Sequence, residues 1–330
     1  MTTYVILGGN GVFGVHTAFH LLAQRDTKGV ICVGRNPEKP EPFTLRLGEG
    51  DPRYSYHQIH IVFEHDRLFE LLDRAQPEII INFAAQGEGA ASWKHSWRYF
   101  DTNVTALARI TEDLMKRKYL RRWIQIGTSE LYGSVSRPAR ETDPILPSSP
   151  YAASKAAGDM HLISIAKTMN FPMNIVRPSN AYAPGQQLYR ILPRAVVCGL
   201  SKQKLPLHGG GISKKSYMHA NDLAKAIHLV ASKADLGKVY NVGPTQPVAI
   251  RDLVDMAAGQ MGLTLDQLCQ VTEPRFGEDW VYWLDSSAIE KDLAWRAQIS
   301  LTDGVRGMVD WGQKFIDHLV RLPQTYIFHA

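Results

Sequence analysis

The segment Ile124–Gly133, IQIGTSELYG, opens as an apolar run and closes in a turn, and between them stand Thr128, Ser129 and Glu130. A carboxylate just past the end of a buried strand is either a solvated loop residue or a base held at the mouth of a site. Further on, PYAASK places Tyr151 and Lys155 four residues apart at a helix start, so both share one face. An ammonium beside a phenol favours the phenolate, and such a tyrosine can act as a base nearer neutral pH. Tyr-x-x-x-Lys is common by chance. Its place here, one strand-to-helix crossover after Thr128, is not.

A third chemical signal lies near the start. GGNGVFG sets Gly8, Gly11 and Gly14 directly after the first apolar run and at the opening of a helix. Glycines there permit a tight turn and let the backbone approach a pyrophosphate at a helix N-terminus. The spacing is G-x-x-G-x-x-G rather than G-x-G-x-x-G, and the strand-turn-helix context is what makes it informative. The next apolar run ends VICVGRNP. An acid at that end would hold the ribose 2′-hydroxyl of NAD, but the position carries Gly34, followed by Arg35. A missing carboxylate and a nearby guanidinium favour a 2′-phosphate, so NADP is expected over NAD. Arg35 could also stack on adenine, which either cofactor allows.

The elements that must position these residues alternate through the first half. TYVILGG, GVICVGR, EIIINFAA, RRWIQIGT and MNIVRPSN read as strands. VFGVHTAFHLLAQR, DRLFELLDRAQ, SWRYFDTNVTALARITEDLMKRK and PYAASKAAGDMHLISIAKTM read as helices. Nearly continuous apolar strands between amphipathic helices imply an α/β fold, a Rossmann-like doubly wound parallel sheet covered on both faces. After Asn180 glycine and proline become frequent, as in APGQ and LHGGG. The rhythm returns in NDLAKAIHLVASK and KVYNVGP. The expected division is a dinucleotide-binding domain of residues 1–177 plus about 217–246, and a smaller α/β domain of about 178–216 plus 247–330.

At 330 residues the chain can bury two domains, and 45% hydrophobic with 21% charged residues suits a water-soluble globular protein. Cys32, Cys198 and Cys269 lie far apart without metal-ligand spacing, and read as reduced core thiols of a cytoplasmic protein. The N-terminus reads as a first strand rather than a signal peptide, and no apolar run reaches membrane-spanning length. The net charge of +5 is scattered. KRKYLRR suits a helix C-terminus, and no basic stripe interleaves with aromatics, so neither nucleic acid nor membrane is expected as a partner. A mildly basic chain also suits a doubly charged small anion.

Together, GGNGVFG, INFAAQ, TSELYG, PYAASK, RPSNAYAPG, YMHANDLAKAI and the segment PRFGEDWVYWLDSSAIEKDLAWRAQISLTDGV resemble the extended short-chain dehydrogenase/reductases of the nucleotide-sugar-modifying branch over nearly the whole chain. The resemblance implies that Tyr151 deprotonates a sugar 4-hydroxyl as hydride leaves C4. It implies that Lys155 lowers the tyrosine pKa and holds the nicotinamide ribose, and that Thr128 bonds the same oxygen. A tightly bound dinucleotide would lie against Gly8, Gly11, Val12, Phe13 and Gly14, Arg35 and Asn36, Ala84, Ala85 and Gln86, and Asn103, Tyr151, Lys155 and Pro178. The 4-epimerases of this branch have a small residue at position 130, whereas 4,6-dehydratases have a glutamate. With C4 a ketone, that carboxylate removes the C5 proton as the C6 hydroxyl departs.

Dehydratases acting on dTDP-glucose carry Thr-Asp-Glu, those acting on GDP-mannose Thr-Ser-Glu. Ser129 is a poor acid, so Glu130 or a water must take that part. UDP-glucuronate decarboxylases also carry Thr-Ser-Glu. Their substrate-handling arginine is replaced by Val281, and no basic residue lies between Gly277 and Ile289. The nucleotide sugar would meet Gln86, Glu88, Thr128, Asn180, Arg190, Leu192, Lys215 and Arg275. RPSN resembles the dTDP-glucose enzymes and TSE the GDP-mannose ones, so the base stays open. AAQGEGAASW departs from the branch's A-A-Q-S-H-V, with Glu88 in place of the histidine; Glu88 faces either a sugar substituent or solvent. The expected reading is an NDP-hexose 4,6-dehydratase. A 4-epimerase, a decarboxylase and a non-catalytic NADP-binding sensor or scaffold are the alternatives. Helices around 97–115 and 151–168 carry more apolar positions than one buried stripe uses, which with the resemblance implies a homodimer joined by a four-helix bundle.

Overall fold

The computed structural model describes residues 1–274 and 279–327. Strands β1 (Thr2–Leu7), β2 (Thr27–Gly34), β3 (Tyr54–Gln58), β4 (Ile79–Asn82), β5 (Arg122–Ile126), β6 (Met173–Pro178) and β7 (Val239–Val242) form one seven-stranded sheet. All its pairings are parallel, in the order β7-β6-β5-β4-β1-β2-β3. The chain winds outward from β1 to β3, then crosses back to β4. The reversal leaves a crevice at the carboxyl ends of β1 and β4.

The strand pleat explains the two-faced core. Tyr4 and Ile6 pack with helices Val12–Leu22 and Ala220–Lys233. Val5 and Leu7 point the other way, onto His65–Ala75, Leu107–Leu114 and Pro150–Met169. Each such fully buried side chain contributes about 1.5–3 kcal/mol. A second lobe gathers helices Ile191–Leu200, Ile250–Gln260 and Leu301–Leu319 around Leu192, Val196, Leu253, Val305 and Met308. Asn180–Tyr182 leaves the large sheet after Ser179 and pairs with Tyr217–His219, which leads from the second lobe back into helix Ala220–Lys233 on the large sheet.

Two expectations are corrected, and one strand joins those read from the sequence. The helix read through residues 96–118 is Ser96–Phe100, a π-helical stretch Asp101–Ala106, then Leu107–Leu114. The extra residue per turn lets Asn103 reach sideways: its Oδ1 accepts from Gln86 N at 2.9 Å, and its Nδ2 donates to Gln86 O at 3.1 Å and Ser154 Oγ at 2.9 Å. The edge strand Tyr54–Gln58 has no apolar run to announce it. Cys32 and Cys198 are buried free thiols, but Cys269 is only half-buried.

Candidate active site

The glycine turn follows β1 at the crevice. Gly8 has φ +80°, and a Cβ there would lie 2.7 Å from Ala84 N, so only glycine lets the first and fourth strand ends approach. A Cβ on Gly14 would meet Gly8 O at 2.7 Å. Gly11 is the N-cap of Val12–Leu22, and no side chain caps that helix. Val12 and Phe13 of its first turn line the cleft, and a helix N-terminus leaves its first amides without intrahelical partners. This cradle fits a pyrophosphate.

At the end of β2, Asn10 Nδ2 donates to Pro37 O at 2.8 Å, and Asn10 Oδ1 accepts from Lys39 N at 3.1 Å. The Tyr56 hydroxyl donates to the Asn36 carbonyl. These bonds hold Arg35, Asn36 and Lys39 against the glycine turn. Burial, then the nearby Arg35 charge, lowers Lys39 to about 8. Two cations thus sit together in the crevice at the end of β2. Sequence reasoning missed Asn10 and Lys39.

Ala84, Ala85, Gln86 and Pro178 line the middle of one cleft of about 910 Å³, which continues past Thr128, Ser129, Glu130, Tyr151 and Lys155 into the second lobe. Thr128 caps the short helix Ser129–Tyr132, with its Oγ1 accepting from Glu130 N at 3.2 Å. That cap turns Glu130 into the cleft rather than toward solvent. Burial is the main reason its carboxyl is pushed up to about 7; Arg190 and Lys215 pull it down, while Glu88 and Asp279 push it further up. Burial also raises the Tyr151 phenol above its ordinary range; the Glu130 charge adds to this, and a hydrogen bond with Thr128 opposes it.

Tyr151 and Lys155 share a helix face, but the ammonium bonds Ile126 O at 2.6 Å, the acceptor that the end of β5 offers. Burial lowers Lys155 to about 8, and Asp159 opposes the fall. Beneath them Arg177 Nε donates to Asp159 Oδ2 at 2.9 Å, and Arg177 Nη1 to the Tyr132 hydroxyl at 2.7 Å. Sequence reasoning missed this support. Its one sign was an aspartate one turn beyond Lys155 on an otherwise buried face.

In the second lobe, Asn180, Arg190, Leu192 and Lys215 all border the cleft. Arg190 lies at the end of the cleft that holds Glu130, where Arg190 Nη1 and Glu88 Oε2 are 3.3 Å apart. Lys215 Nζ donates to Asp279 O at 2.7 Å and lies 3.7 Å from the centre of the Tyr282 ring. Arg275 lies outside the described residues. The tail beyond Leu319 also enters the cleft: Leu322, Gln324 and Tyr326 are half-buried, and the residues between them exposed. Gln86 Nε2 donates to the Tyr326 hydroxyl at 2.5 Å, and Arg35 Nη1 to Gln86 Oε1 at 3.3 Å. The Tyr326 ring meets Tyr189 edge-on, with 5.1 Å between centroids.

A doubly wound parallel sheet, a glycine turn at its switch point, and a tyrosine and lysine one helical turn apart under a second lobe define an extended short-chain dehydrogenase/reductase. Comparison with known proteins narrows the class. The model of the GDP-mannose 4,6 dehydratase family matches residues 5–308, and the chain belongs to that family. It is 26% identical to a dTDP-glucose 4,6-dehydratase of Streptomyces griseus over 318 residues, covering 95% of each chain. It is 25% identical over 320 residues to a trifunctional UDP-glucose 4,6-dehydratase, epimerase and reductase of Arabidopsis thaliana, covering 94% of this chain and 48% of that one. The chain therefore spans about half the length of that relative. The crystal structure of the dTDP-glucose 4,6-dehydratase DesIV from Streptomyces venezuelae, with NAD bound, superposes with a TM-score of 0.88 at 27% identity, covering 94% of this chain and 97% of that one.

Proposed function

We propose that the protein is a nucleotide-sugar 4,6-dehydratase that converts an NDP-hexose into an NDP-4-keto-6-deoxyhexose. The observation that carries this reading is the Glu130 carboxyl, turned into the cleft beside Tyr151 and pushed up to about 7. A nucleotide-sugar epimerase needs no such group.

Residues 1–177 and about 217–246 would hold a nicotinamide dinucleotide, the rest of the chain the nucleotide sugar. When bound, the dinucleotide takes up and returns a hydride and sets a positive charge beside the phenol. Tyr151 accepts the 4-hydroxyl proton, and Thr128 holds the same oxygen. Lys155, fixed on Ile126 O, orients the ribose. Once C4 is a ketone, Glu130 removes the acidified C5 proton and hands a proton to the departing C6 hydroxyl. A carboxyl titrating near neutrality serves both as base and as acid, which Ser129 cannot.

The paired cations Arg35 and Lys39, with no carboxylate at the end of β2, support NADP over NAD. Lys39→Ala should weaken NADP binding at least tenfold and leave NAD nearly unchanged. The three free cysteines support a cytoplasmic location. Among the described residues no helix is long and apolar enough to cross a membrane. Exposed Trp97, Phe100, Met160 and Ile163 on helices Ser96–Phe100 and Pro150–Met169 support a homodimer through a four-helix bundle, measurable by light scattering.

The test is mass spectrometry of UDP-, GDP-, dTDP- and CDP-hexoses incubated with the protein in deuterated water. A product lighter by one water and carrying one solvent deuterium is expected. An unchanged mass would sink the dehydratase. Loss of carbon dioxide from a uronic acid would favour decarboxylation, the second reading, which Arg190 beside Glu130 keeps open.

A further inference from the structure

Glu88 stands between two glycines with φ +91°, a left-handed conformation that side-chain-bearing residues rarely adopt. A glycine would sit there without strain, so the carboxylate is kept at a conformational cost. Its backbone is clamped: the fully buried Tyr99 donates its hydroxyl to Glu88 O at 2.9 Å. The side chain is only 15% exposed and points into the cleft, where Arg190 is its counter-ion. A Cβ on the adjacent Gly89 would lie 3.3 Å from Glu130 Oε2, so this loop borders the catalytic carboxyl directly.

We propose that Glu88 is a specificity-determining residue that accepts a hydrogen bond from the C2 or C3 hydroxyl of the bound hexose. The inference rests on the dehydratase reading. There the C4 oxygen belongs to Tyr151 and Thr128, and the C5–C6 edge to Glu130. The hydroxyls left on the ring are those at C2 and C3. An ionised carboxylate only accepts, so this position selects a donor and rejects a deoxy or keto centre. Arg190 Nη1 approaches one carboxylate oxygen, which leaves the group acceptor capacity for a substrate hydroxyl. A strained, clamped backbone fixes the oxygen before substrate arrives, which a flexible loop glutamate could not do.

The test uses the cofactor-loaded protein with UDP-, GDP-, dTDP- and CDP-hexoses, and the 2-deoxy and 3-deoxy forms of whichever one loses water. Both Kd and kcat/KM for water loss are measured. For the parent protein, one deoxy form should be weaker by about 10–100-fold, the worth of a hydrogen bond to a charged group. In Glu88→Gly, which relaxes the backbone and so should fold, the hydroxyl and deoxy forms should come within about threefold of each other. Glu88→Gln should fall between. Equal discrimination in the parent and Glu88→Gly, or none in the parent, overturns the proposal and leaves the dehydratase standing. If none of the four nucleotide hexoses binds the parent, the hexose site falls, and the role of Glu88 with it.

Discussion

Replacing Glu130 by glutamine removes a charge from a part-buried site without changing its shape, and it has two opposed consequences. The displacement of the carboxyl from 4.5 to about 7 corresponds to roughly 3 kcal/mol of destabilisation once it is ionised. Its direction follows from proton binding. The folded state holds the proton more tightly than the unfolded chain, so the destabilisation is absent below about 4.5, grows as pH rises, and is complete above about 7. Glutamine does not titrate. Glu130→Gln should therefore match the parent near pH 4.5 and exceed it by up to about 3 kcal/mol at pH 8. Urea unfolding of both proteins at saturating cofactor, across that range, reads the difference. Catalysis should move the other way. Loss of a general acid–base group slows water loss by about 10²–10⁴-fold, while C4 oxidation continues and reduced nicotinamide accumulates. A stability difference that does not change with pH would refute the burial argument. Normal water loss would refute the assigned role.

Three further outcomes test the surroundings. Asp159→Ala leaves Arg177, 2% exposed, without its counter-ion, and should cost about 3–5 kcal/mol in urea unfolding. Gly158→Ala places a Cβ 2.7 Å from Asn103 O, so it should destabilise by about 1–3 kcal/mol in thermal unfolding and weaken dinucleotide binding as the π-helical stretch shifts. Ending the chain before Pro323 removes the Tyr326 contact with Gln86 and should speed exchange of bound cofactor several-fold, followed by the fluorescence of its reduced form; an unchanged rate would mean the tail does not close the cleft.

Local chemistry reads well from the chain when the residues that perform it are neighbours. The three glycines, the tyrosine and lysine one helical turn apart, and Thr128 with Glu130 each lie within a single turn of chain, and periodicity places each on its strand end or helix. What escapes notice is set by packing between distant segments. DTNVTA has ordinary helix composition; its π-helical geometry comes from Asn103 wedged between Gln86 and Ser154, across the close approach that Gly158 permits. YSYHQ shows no apolar run because β3 is an edge strand, half-covered along most of its length. Arg177 and Asp159 sit on different elements, so neither announces the other.

The catalytic end of the cleft shows the same division of information. Glu130 can be picked out by its place after β5, but its pKa cannot, because the groups that set it come from four other segments: Glu88 after β4, Arg190 before its helix, Lys215 and Asp279. A glutamate in the same triplet with solvent around it would titrate near 4.5 and donate no proton at neutral pH. On the proposed mechanism, burial of Glu130 takes the place of the acid that Ser129 does not supply. The dehydratase reading depends on that environment as much as on the three residues themselves.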